Sequence, residues 1–436
     1  MWVLFSDGLT LDETDEDSIC YAVSLVADGI MDYYEGTQYG GTIGIFQEPY
    51  YWWEAGEAWG GMIDMWYLCG NDTYEDTIKA ALIAQTGSDY DYVPSNQSMT
   101  EGNDDQAFWG LAVMQATERN LSDPTGDTPG WLALTQAVFN TMYDRWDTSS
   151  CNGGLRWQIF TWNSGYDYKN SISNGGLFHI AARLARYTSN DTYADVAAEV
   201  WDWVVGVGFL VLDSDLYVIF DGADTGDNCT DIETTEWSYT YGLYLAGCAY
   251  LYNYTEDSEW ELRAAYILNG ASSFFNNSIM YEKSCQLSGS CDNDERSFKS
   301  VFSRCLGLTS TLVPTLTDTI KTLLVASAKG AAESCSGGTD GHTCGLNWFY
   351  GSWDGWYGLG EQMSALEVFQ SLLVKSPLTA DTGGTSTGNA DAGQSTSSST
   401  TSSNDITVEK KDKVGAGILT AFVLAILFGG SIWMIL

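Results

Sequence analysis

The stretch NDDQAFWG at residues 103–110 places two adjacent carboxylates directly before a strongly apolar run. Asn103 is a good N-cap, and Gln106 follows it at the spacing of a capping box, so the pattern predicts that Asp104 and Asp105 begin a helix. The run to Met114 is apolar on nearly all sides, which is typical of a buried helix. We therefore expect both carboxylates at one rim of a buried helix, where two short side chains can reach into the same cavity.

This acidic pair has a structural and a catalytic interpretation. The helix dipole favours Asp in a first turn whether or not any reaction occurs there. Burying charges beside a core helix is costly, however, which favours the catalytic interpretation. Two carboxyls about 5–6 Å apart would suit glycoside hydrolysis with retention. Because two carboxylates that share a site resist double ionisation, one would hold a proton while the other is ionised, and the sequence leaves open which one.

Composition limits the other classes of function. The chain has 436 residues and a formal net charge of -40, which would repel nucleic acid and anionic membranes and favours a neutral substrate. Its 18 Trp and 26 Tyr are scattered along the chain, as expected for one dominant domain with either sugar-stacking grooves or a large aromatic core. The two histidines, His179 and His342, are too few for a histidine-built zinc site or a Ser-His-Asp triad. We expect no metal and no cofactor, and we interpret His179 as a helix-face residue.

The cysteines and glycosylation motifs indicate the secretory pathway. Ten cysteines occur without any C-x-x-C pair, which favours disulfides over zinc or redox motifs. The close pairs Cys285/Cys291 and Cys335/Cys344 are the expected local bridges. Seven Asn-x-Ser/Thr motifs point the same way, at Asn71, Asn96, Asn120, Asn190, Asn228, Asn253 and Asn276. Residues 1–12 form an N-terminal segment without a complete signal peptide, which suggests a truncated or processed start.

Residues 13–376 contain about twelve segments with helical spacing of apolar residues, separated by short Gly/Asn/Asp/Ser loops. Only Leu216 to Phe220 is strand-like. An all-α domain with no fixed-period repeat favours a closed barrel of helical hairpins over a solenoid, with a central cleft formed by inner helix ends and loops.

The C-terminal region differs in composition. Residues 377–413 are a Ser/Thr-rich segment and polar spacer, which we expect to be a disordered, O-glycosylated stalk. The apolar residues 414–436 follow, and with the small residues at 402–404 they form the pattern of a glycosylphosphatidylinositol (GPI) attachment signal. A transmembrane helix is the alternative, but the preceding lysines lie on the wrong side for an ordinary stop-transfer segment.

Four segments together resemble one known family: YWWEAG at 51–56, NDDQAFWG at 103–110, SNGGLF at 173–178 and GLGEQM at 358–363. They resemble glycoside hydrolase family 76, and more closely its fungal GPI-anchored mannan endo-1,6-α-mannosidases of the Defective-cell-wall type. The resemblance implies an (α/α)6 barrel and a retaining mechanism with Asp104 as nucleophile and Asp105 as acid/base. It also implies a mannose-containing glycan as substrate, at the cell surface or cell wall. One departure is Thr240, where many relatives have Asn.

From the motif-like segments near helix ends we expect nine further residues to bind substrate: Trp52, Trp53, Glu54, Asn174, Tyr239, Phe298, Lys299, Asp354 and Trp356. If the reaction were inverting instead, Glu54 or Asp354 would be the candidate base. Three functions stay open: an endo-α-1,6-mannosidase, a transglycosidase that transfers GPI-anchored proteins to wall polysaccharide, and a non-catalytic mannan-binding wall glycoprotein. We expect a monomer that is attached to the membrane through a GPI anchor and does not bind nucleic acid.

Overall fold

The computed structural model describes residues 8–394. All twelve predicted helices are present in that part of the chain, with ends displaced by a few residues. Their bounds are α1 (Glu16–Met31), α2 (Trp52–Cys69), α3 (Glu75–Ala84), α4 (Asn103–Glu118), α5 (Trp131–Tyr143), α6 (Ser171–Thr188), α7 (Asp191–Val207), α8 (Ser238–Thr255), α9 (Ser258–Ala271), α10 (Asn293–Leu312), α11 (Thr317–Ser334) and α12 (Leu359–Gln370).

The even-numbered helices form a closed inner ring. Each packs against the next, from α2 through α4, α6, α8 and α10 to α12, and α12 packs back against α2. The odd-numbered helices bury one face against this ring, as their amphipathic sequences predict. In α4 the only two residues that are not buried are Asp104 and Asp105. The predicted (α/α)6 barrel is therefore confirmed, with the acidic pair at the open end of an otherwise buried inner helix.

Between residues 8 and 394, seven short strands occur in the loops, of which the sequence predicted one. The predicted strand is β3 (Leu216–Ile219), which pairs with β2 (Leu210–Asp213). The others have two to four residues, too few to show an alternating pattern. They are β1 (Tyr168–Asn170), β4 (Gly222–Asp224), β5 (Ile232–Glu233), β6 (Phe275–Asn276) and β7 (Ile279–Met280). The sheet β1-β4-β5 matters for function because residues beside it reach the cavity described below.

Eight of the ten cysteines form disulfides. The two predicted local bridges, Cys285–Cys291 and Cys335–Cys344, are both present. Two bridges of longer span, Cys20–Cys69 and Cys151–Cys229, join elements that are distant in sequence. The remaining two, Cys248 and Cys305, are buried thiols on inner helices, so the even count of cysteines did not mean that all of them pair.

The first part of the predicted stalk lies against the barrel. The Asn140 side-chain amide on α5 donates to the backbone carbonyls of Ala390 and Ala392, at 2.8 and 2.9 Å. The Asp123 carboxylate accepts from the Ser386 hydroxyl at 2.7 Å. The composition of this segment does not predict that its backbone groups find hydrogen-bond partners on the barrel surface. The segment after residue 394 and the predicted GPI signal at 414–436 lie outside the described residues.

Between residues 8 and 394, no helix combines the length and apolar character that crossing a membrane requires.

Buried ion pairs join the inner helices below the acidic pair. Arg183 on α6 binds Glu118 on α4 at 2.6 Å, and both side chains are 1% exposed. Arg304 on α10 binds Glu57 on α2 at 2.8 Å. His179 lies on α6 as predicted, but it is buried, and burial lowers the pKa of its imidazole well below 6.5. Helix packing at the barrel axis therefore depends on paired charges as well as on apolar contacts.

These pairs predict a large difference between two charge-removing substitutions. Arg183→Met should lower the free energy of unfolding by about 3–5 kcal/mol, because it leaves Glu118 buried without its partner. Lys329→Met is the matched control, because Lys329 pairs with Glu13 at 2.6 Å while 54% of its side chain is exposed. The control should cost less than about 1 kcal/mol. Denaturant unfolding measures both, and equal losses would contradict this account of the core.

Candidate active site

A cavity of about 970 Å³ lies at the end of the barrel where α2, α4 and α10 begin. Its walls are largely aromatic, with Tyr50, Tyr51, Trp52, Trp53, Phe108, Trp157, Tyr168, Tyr239 and Phe298. Its charged lining consists of carboxylates: Glu48, Glu101, Asp104, Asp105, Asp221 and Asp294. Among the described residues, no Lys, Arg or His lines it. The cavity therefore combines flat apolar surfaces with many hydrogen-bond acceptors, a combination that suits the faces and hydroxyls of sugars.

The start of α4 differs in one detail from the predicted cap. Gly102 is the N-cap. The carboxylate of Asp105, at the third helical position, accepts the backbone N–H of Gly102 at 2.6 Å. Asn103 was predicted as the cap, but its side chain donates to the Arg156 carbonyl at 2.9 Å and accepts from Arg145 at 2.8 Å. Gln106, the predicted capping partner, is likewise occupied elsewhere. The Asn103 side chain thus forms hydrogen bonds with residues distant in sequence. At the helix start, the Asp105 carboxylate accepts the backbone N–H of Gly102 instead.

Both carboxylates lie close over Gly102. A Cβ atom added to Gly102 would be 2.2 Å from Asp104 Oδ1 and 3.2 Å from Asp105 Oδ2. The other Asp104 oxygen, Oδ2, accepts the Trp157 indole N–H at 3.0 Å. Gly102 therefore leaves room for both carboxylates because it has no side chain. The Trp157 indole donates to Asp104, and the Gly102 N–H donates to Asp105.

The surroundings raise the proton affinity of both carboxyls. Burial raises the pKa of Asp104 to about 7, while backbone N–H groups at the helix start and the Trp157 indole oppose that rise. Burial and the neighbouring charge of Asp104 raise the pKa of Asp105 well above 3.8. The charge of Asp104 thus favours the protonated form of Asp105, so the pair favours a state with a single proton.

Four predicted binding residues line the cavity: Trp52, Trp53, Tyr239 and Phe298. The Tyr239 and Phe298 rings are stacked with their centroids 3.7 Å apart. The Trp53 indole donates to Asp294 at 2.7 Å. Thr240, next to Tyr239, is buried and does not line the cavity.

Glu54 lies behind the cavity wall and does not reach the cavity. It is fully buried, and its carboxylate accepts from the backbone N–H of Tyr51 at 2.6 Å and from the Ser297 hydroxyl at 2.7 Å. Burial raises the pKa of Glu54 to about 8. Its place in the capping box at the start of α2 explains why a carboxylate occurs there.

Asn174 and Lys299 were also predicted to bind substrate, but neither lines the cavity. The Asn174 amide bonds both backbone groups of Leu155, at 2.8 and 3.1 Å, and so holds a loop against α6. Lys299 donates to the carbonyl of Leu346 and lies 3.9 Å from the centre of the Trp348 ring. Burial lowers its pKa to about 7.

Asp354 and Trp356 lie in the loop before α12, outside the cavity. Asp354 accepts from the backbone N–H groups of Asn347 at 2.8 Å and of Trp356 at 3.0 Å. Trp356 is 41% exposed, with the Arg296 guanidinium 5.4 Å from its ring centre. The two alternative bases of an inverting reaction, Glu54 and Asp354, are thus both away from the cavity.

The cavity residues that the sequence analysis missed include Glu101, Trp157, Asp221 and Asp294. Asp294 had a signal, because the DNDE run at 292–295 is a helix start of the same kind as that at 103–106. Burial raises the pKa of its carboxyl to about 6. Asp221 accepts the Tyr168 hydroxyl at 2.7 Å beside the small sheet, where the sequence offers no periodic signal. Asp221 and Asp294 are thus cavity-lining carboxylates besides the adjacent pair and Glu101.

Comparison with known proteins gives consistent results. Residues 18–381 match the model of glycosyl hydrolase family 76. Mannan endo-1,6-alpha-mannosidase DFG5 of Saccharomyces cerevisiae is 58% identical, over 98% of this chain and 94% of that protein. Mannan endo-1,6-alpha-mannosidase DCW1 of Candida albicans is 56% identical, over 99% of this chain and 97% of that protein.

Solved structures show the same fold. The crystal structure of Dfg5 from Chaetomium thermophilum in complex with glucosamine has a TM-score of 0.84 and 38% identity, covering 88% of this chain and 97% of that one. The α-1,6-mannanase of Salegentibacter sp. has a TM-score of 0.65 and 17% identity, covering 82% of this chain and 100% of that one. At this identity the likeness shows the fold alone. By sequence and structure, the chain belongs to glycosyl hydrolase family 76.

Proposed function

We propose that the protein is a retaining, endo-acting α-1,6-mannosidase that acts on mannan or on the mannose of GPI glycans during cell-wall biogenesis. The observation that carries this proposal is the pair Asp104/Asp105, two adjacent carboxyls that line one aromatic cavity and whose pKa values are both raised. The endo-1,6 specificity comes from the relatives named above, which are 58% and 56% identical to this chain.

The mechanism assigns one role to each carboxyl. Ionised Asp104 attacks the anomeric carbon while Asp105 gives its proton to the departing glycosidic oxygen, and a covalent mannosyl ester on Asp104 results. Asp105, now a carboxylate, then removes a proton from an incoming hydroxyl, whose oxygen displaces Asp104 from the anomeric carbon. The two displacements retain the anomeric configuration, and both carboxyls return to their starting states.

The stabilising contacts of each group fit these roles. The Trp157 indole and the backbone N–H groups at the start of α4 favour a negative charge on Asp104. Asp105 takes only one backbone N–H, and the adjacent charge favours its protonated form. The aromatic walls provide stacking surfaces for mannose rings, including the Tyr239/Phe298 stack.

Transfer to a sugar hydroxyl is a second candidate outcome of the same mechanism. A cavity lined by carboxylates and by no cation among the described residues favours a donor that carries an amine, and this revises the expected neutral substrate. The Chaetomium relative was crystallised with glucosamine. An amino-sugar-containing GPI glycan as donor, with wall polysaccharide as acceptor, fits these features. Mass spectrometry of products formed with and without an oligosaccharide acceptor distinguishes transfer from hydrolysis.

We also propose that the mature protein reaches the cell surface as a GPI-anchored monomer. The disulfides support passage through an oxidising compartment, and the composition of residues 402–436 supports the anchor. A non-catalytic mannan-binding glycoprotein would share these features and the aromatic walls. A non-catalytic glycoprotein would not need two adjacent carboxyls in its cavity. The next experiment distinguishes the enzyme from such a binding protein.

Two isosteric substitutions test the assigned roles. Asp104→Asn should abolish turnover of both α-1,6-mannose oligomers and aryl mannosides, because no nucleophile remains. Asp105→Asn should slow the oligomer by about 10²–10⁴-fold but spare the first step of an aryl mannoside whose leaving group needs no acid. Steady-state and burst kinetics measure both. Exchanged phenotypes would reverse the roles, and unchanged glycan turnover in both variants would exclude the mechanism.

Gly102 offers a test that alters neither carboxyl. Gly102→Ala should reduce kcat strongly because its Cβ would displace the Asp104 carboxylate, while φ of -97° at this position is allowed for alanine. Gly206→Ala in α7 is the matched control, since its Cβ meets no atom within 4 Å. The control should keep full activity and gain about 0.5–1 kcal/mol of stability. Wild-type kcat in Gly102→Ala would show that the placement of Asp104 does not limit the reaction.

A further inference from the structure

Trp162 is an exposed aromatic residue at the mouth of the cavity, in the loop that follows α5. Its side chain is 37% exposed and lies outside the cavity lining, but the next two residues, Asn163 and Ser164, both line the cavity. Five residues earlier in the same loop, the Trp157 indole donates to Asp104 at 3.0 Å. This loop therefore extends from the catalytic pair to the outer rim of the cavity.

Two contacts hold the Trp162 side chain in place. Its indole N–H donates to the Ser98 carbonyl at 3.0 Å, and its ring stacks on the Phe160 ring with the centroids 4.8 Å apart. The Asn163 side-chain amide donates to the same Ser98 carbonyl at 3.3 Å, which ties this loop to the loop before α4. Phe160 thus covers one face of the indole and Ser98 satisfies its N–H, so the exposed surface is an apolar ring face.

An ordered, apolar ring face at the mouth of a cavity suits a sugar ring that extends out of it. The C–H face of a pyranose can stack on such a ring, and little freedom is lost because the indole is already held. The exposed face offers neither a charge nor a free donor, which favours a neutral sugar. Met99, which lines the cavity, is 70% exposed, so the apolar surface continues from the cavity to the rim.

We propose that Trp162 is a stacking platform for the outer mannose units of an α-1,6-linked chain whose inner unit reaches Asp104. This inference rests on the proposed function and adds a second binding point outside the cavity. Trp162 makes and breaks no bond. An α-1,6 linkage has one more rotatable bond than a linkage to a ring carbon, so units beyond the cavity need a surface that holds them. Stacking there favours long chains over short ones, as an endo-acting enzyme requires.

The test measures how chain length affects binding. The protein carrying Asp104→Asn should leave chains intact because it lacks the proposed nucleophile, and calorimetry then gives its affinity for α-1,6-mannose chains of two and six units. Adding Trp162→Ala should weaken binding of the six-unit chain about 5- to 10-fold, the size expected for a lost stacking contact, and leave the two-unit chain unchanged. Trp162→Phe keeps an aromatic ring and should lose less.

Tyr21→Ala is the matched control, because Tyr21 is an exposed aromatic residue at the opposite end of the barrel. Its side chain is 64% exposed, and the preceding residue, Cys20, is bonded to Cys69 at the end of α2, whereas the cavity lies where α2 begins. This substitution should change the affinity for neither chain.

Two results would overturn the role of Trp162. An unchanged affinity of Trp162→Ala for the six-unit chain would show that no sugar stacks there. Equal weakening for both chain lengths would show that the Phe160/Trp162 stack only supports the cavity wall. Turnover has a separate outcome: if the wild-type protein left the six-unit chain intact while binding showed the expected length dependence, the proposed function alone would fail. Absence of binding at both lengths before Trp162 is changed would contradict both proposals.

Discussion

Two like charges on consecutive residues, at the cavity end of an otherwise buried helix, are the constraint around which this structure is arranged. Asp104 and Asp105 repel each other when both are ionised, and partial burial raises the pKa of each. A stable arrangement needs donors for one carboxylate and a proton on the other. The Trp157 indole donates to Asp104, the Gly102 N–H donates to Asp105, and the lack of a side chain at Gly102 leaves space for both. In the proposed mechanism, the same constraint places a nucleophile and an acid side by side.

The rest of the barrel makes this arrangement rigid. α4 is buried along its whole length apart from the pair, and the ion pair from Arg183 to Glu118 ties its far end to α6. The loops before and after the small sheet bring Trp157, Tyr168 and Asp221 to the cavity. Helices thus hold the two carboxyls and part of the cavity wall, while the small sheet and the loops supply the rest of the wall. The wall residues on helices are Trp52, Trp53, Phe108, Tyr239 and Phe298.

The sequence was most informative where long periodic segments were involved. It predicted the twelve helices, the barrel, the acidic pair and four aromatic cavity residues, because helical spacing and motif residues are local signals. It placed Glu54 in the binding site, yet that carboxylate caps a helix behind the wall. It missed Asp221, whose position depends on strands of two to four residues. The environment of the Asp104 carboxylate also depends on tertiary contacts such as the hydrogen bond from the Trp157 indole, which no local pattern predicts.

The stereochemistry of the reaction is the central claim, because it follows directly from having nucleophile and acid on adjacent residues. Proton NMR of the first-formed product from an α-1,6-mannose oligomer, recorded before the anomers equilibrate, measures it most directly. The account predicts that the α-anomer appears first. Initial formation of the β-anomer would contradict it, since a water would then attack with help from a carboxylate elsewhere in the cavity, such as Asp221 or Asp294.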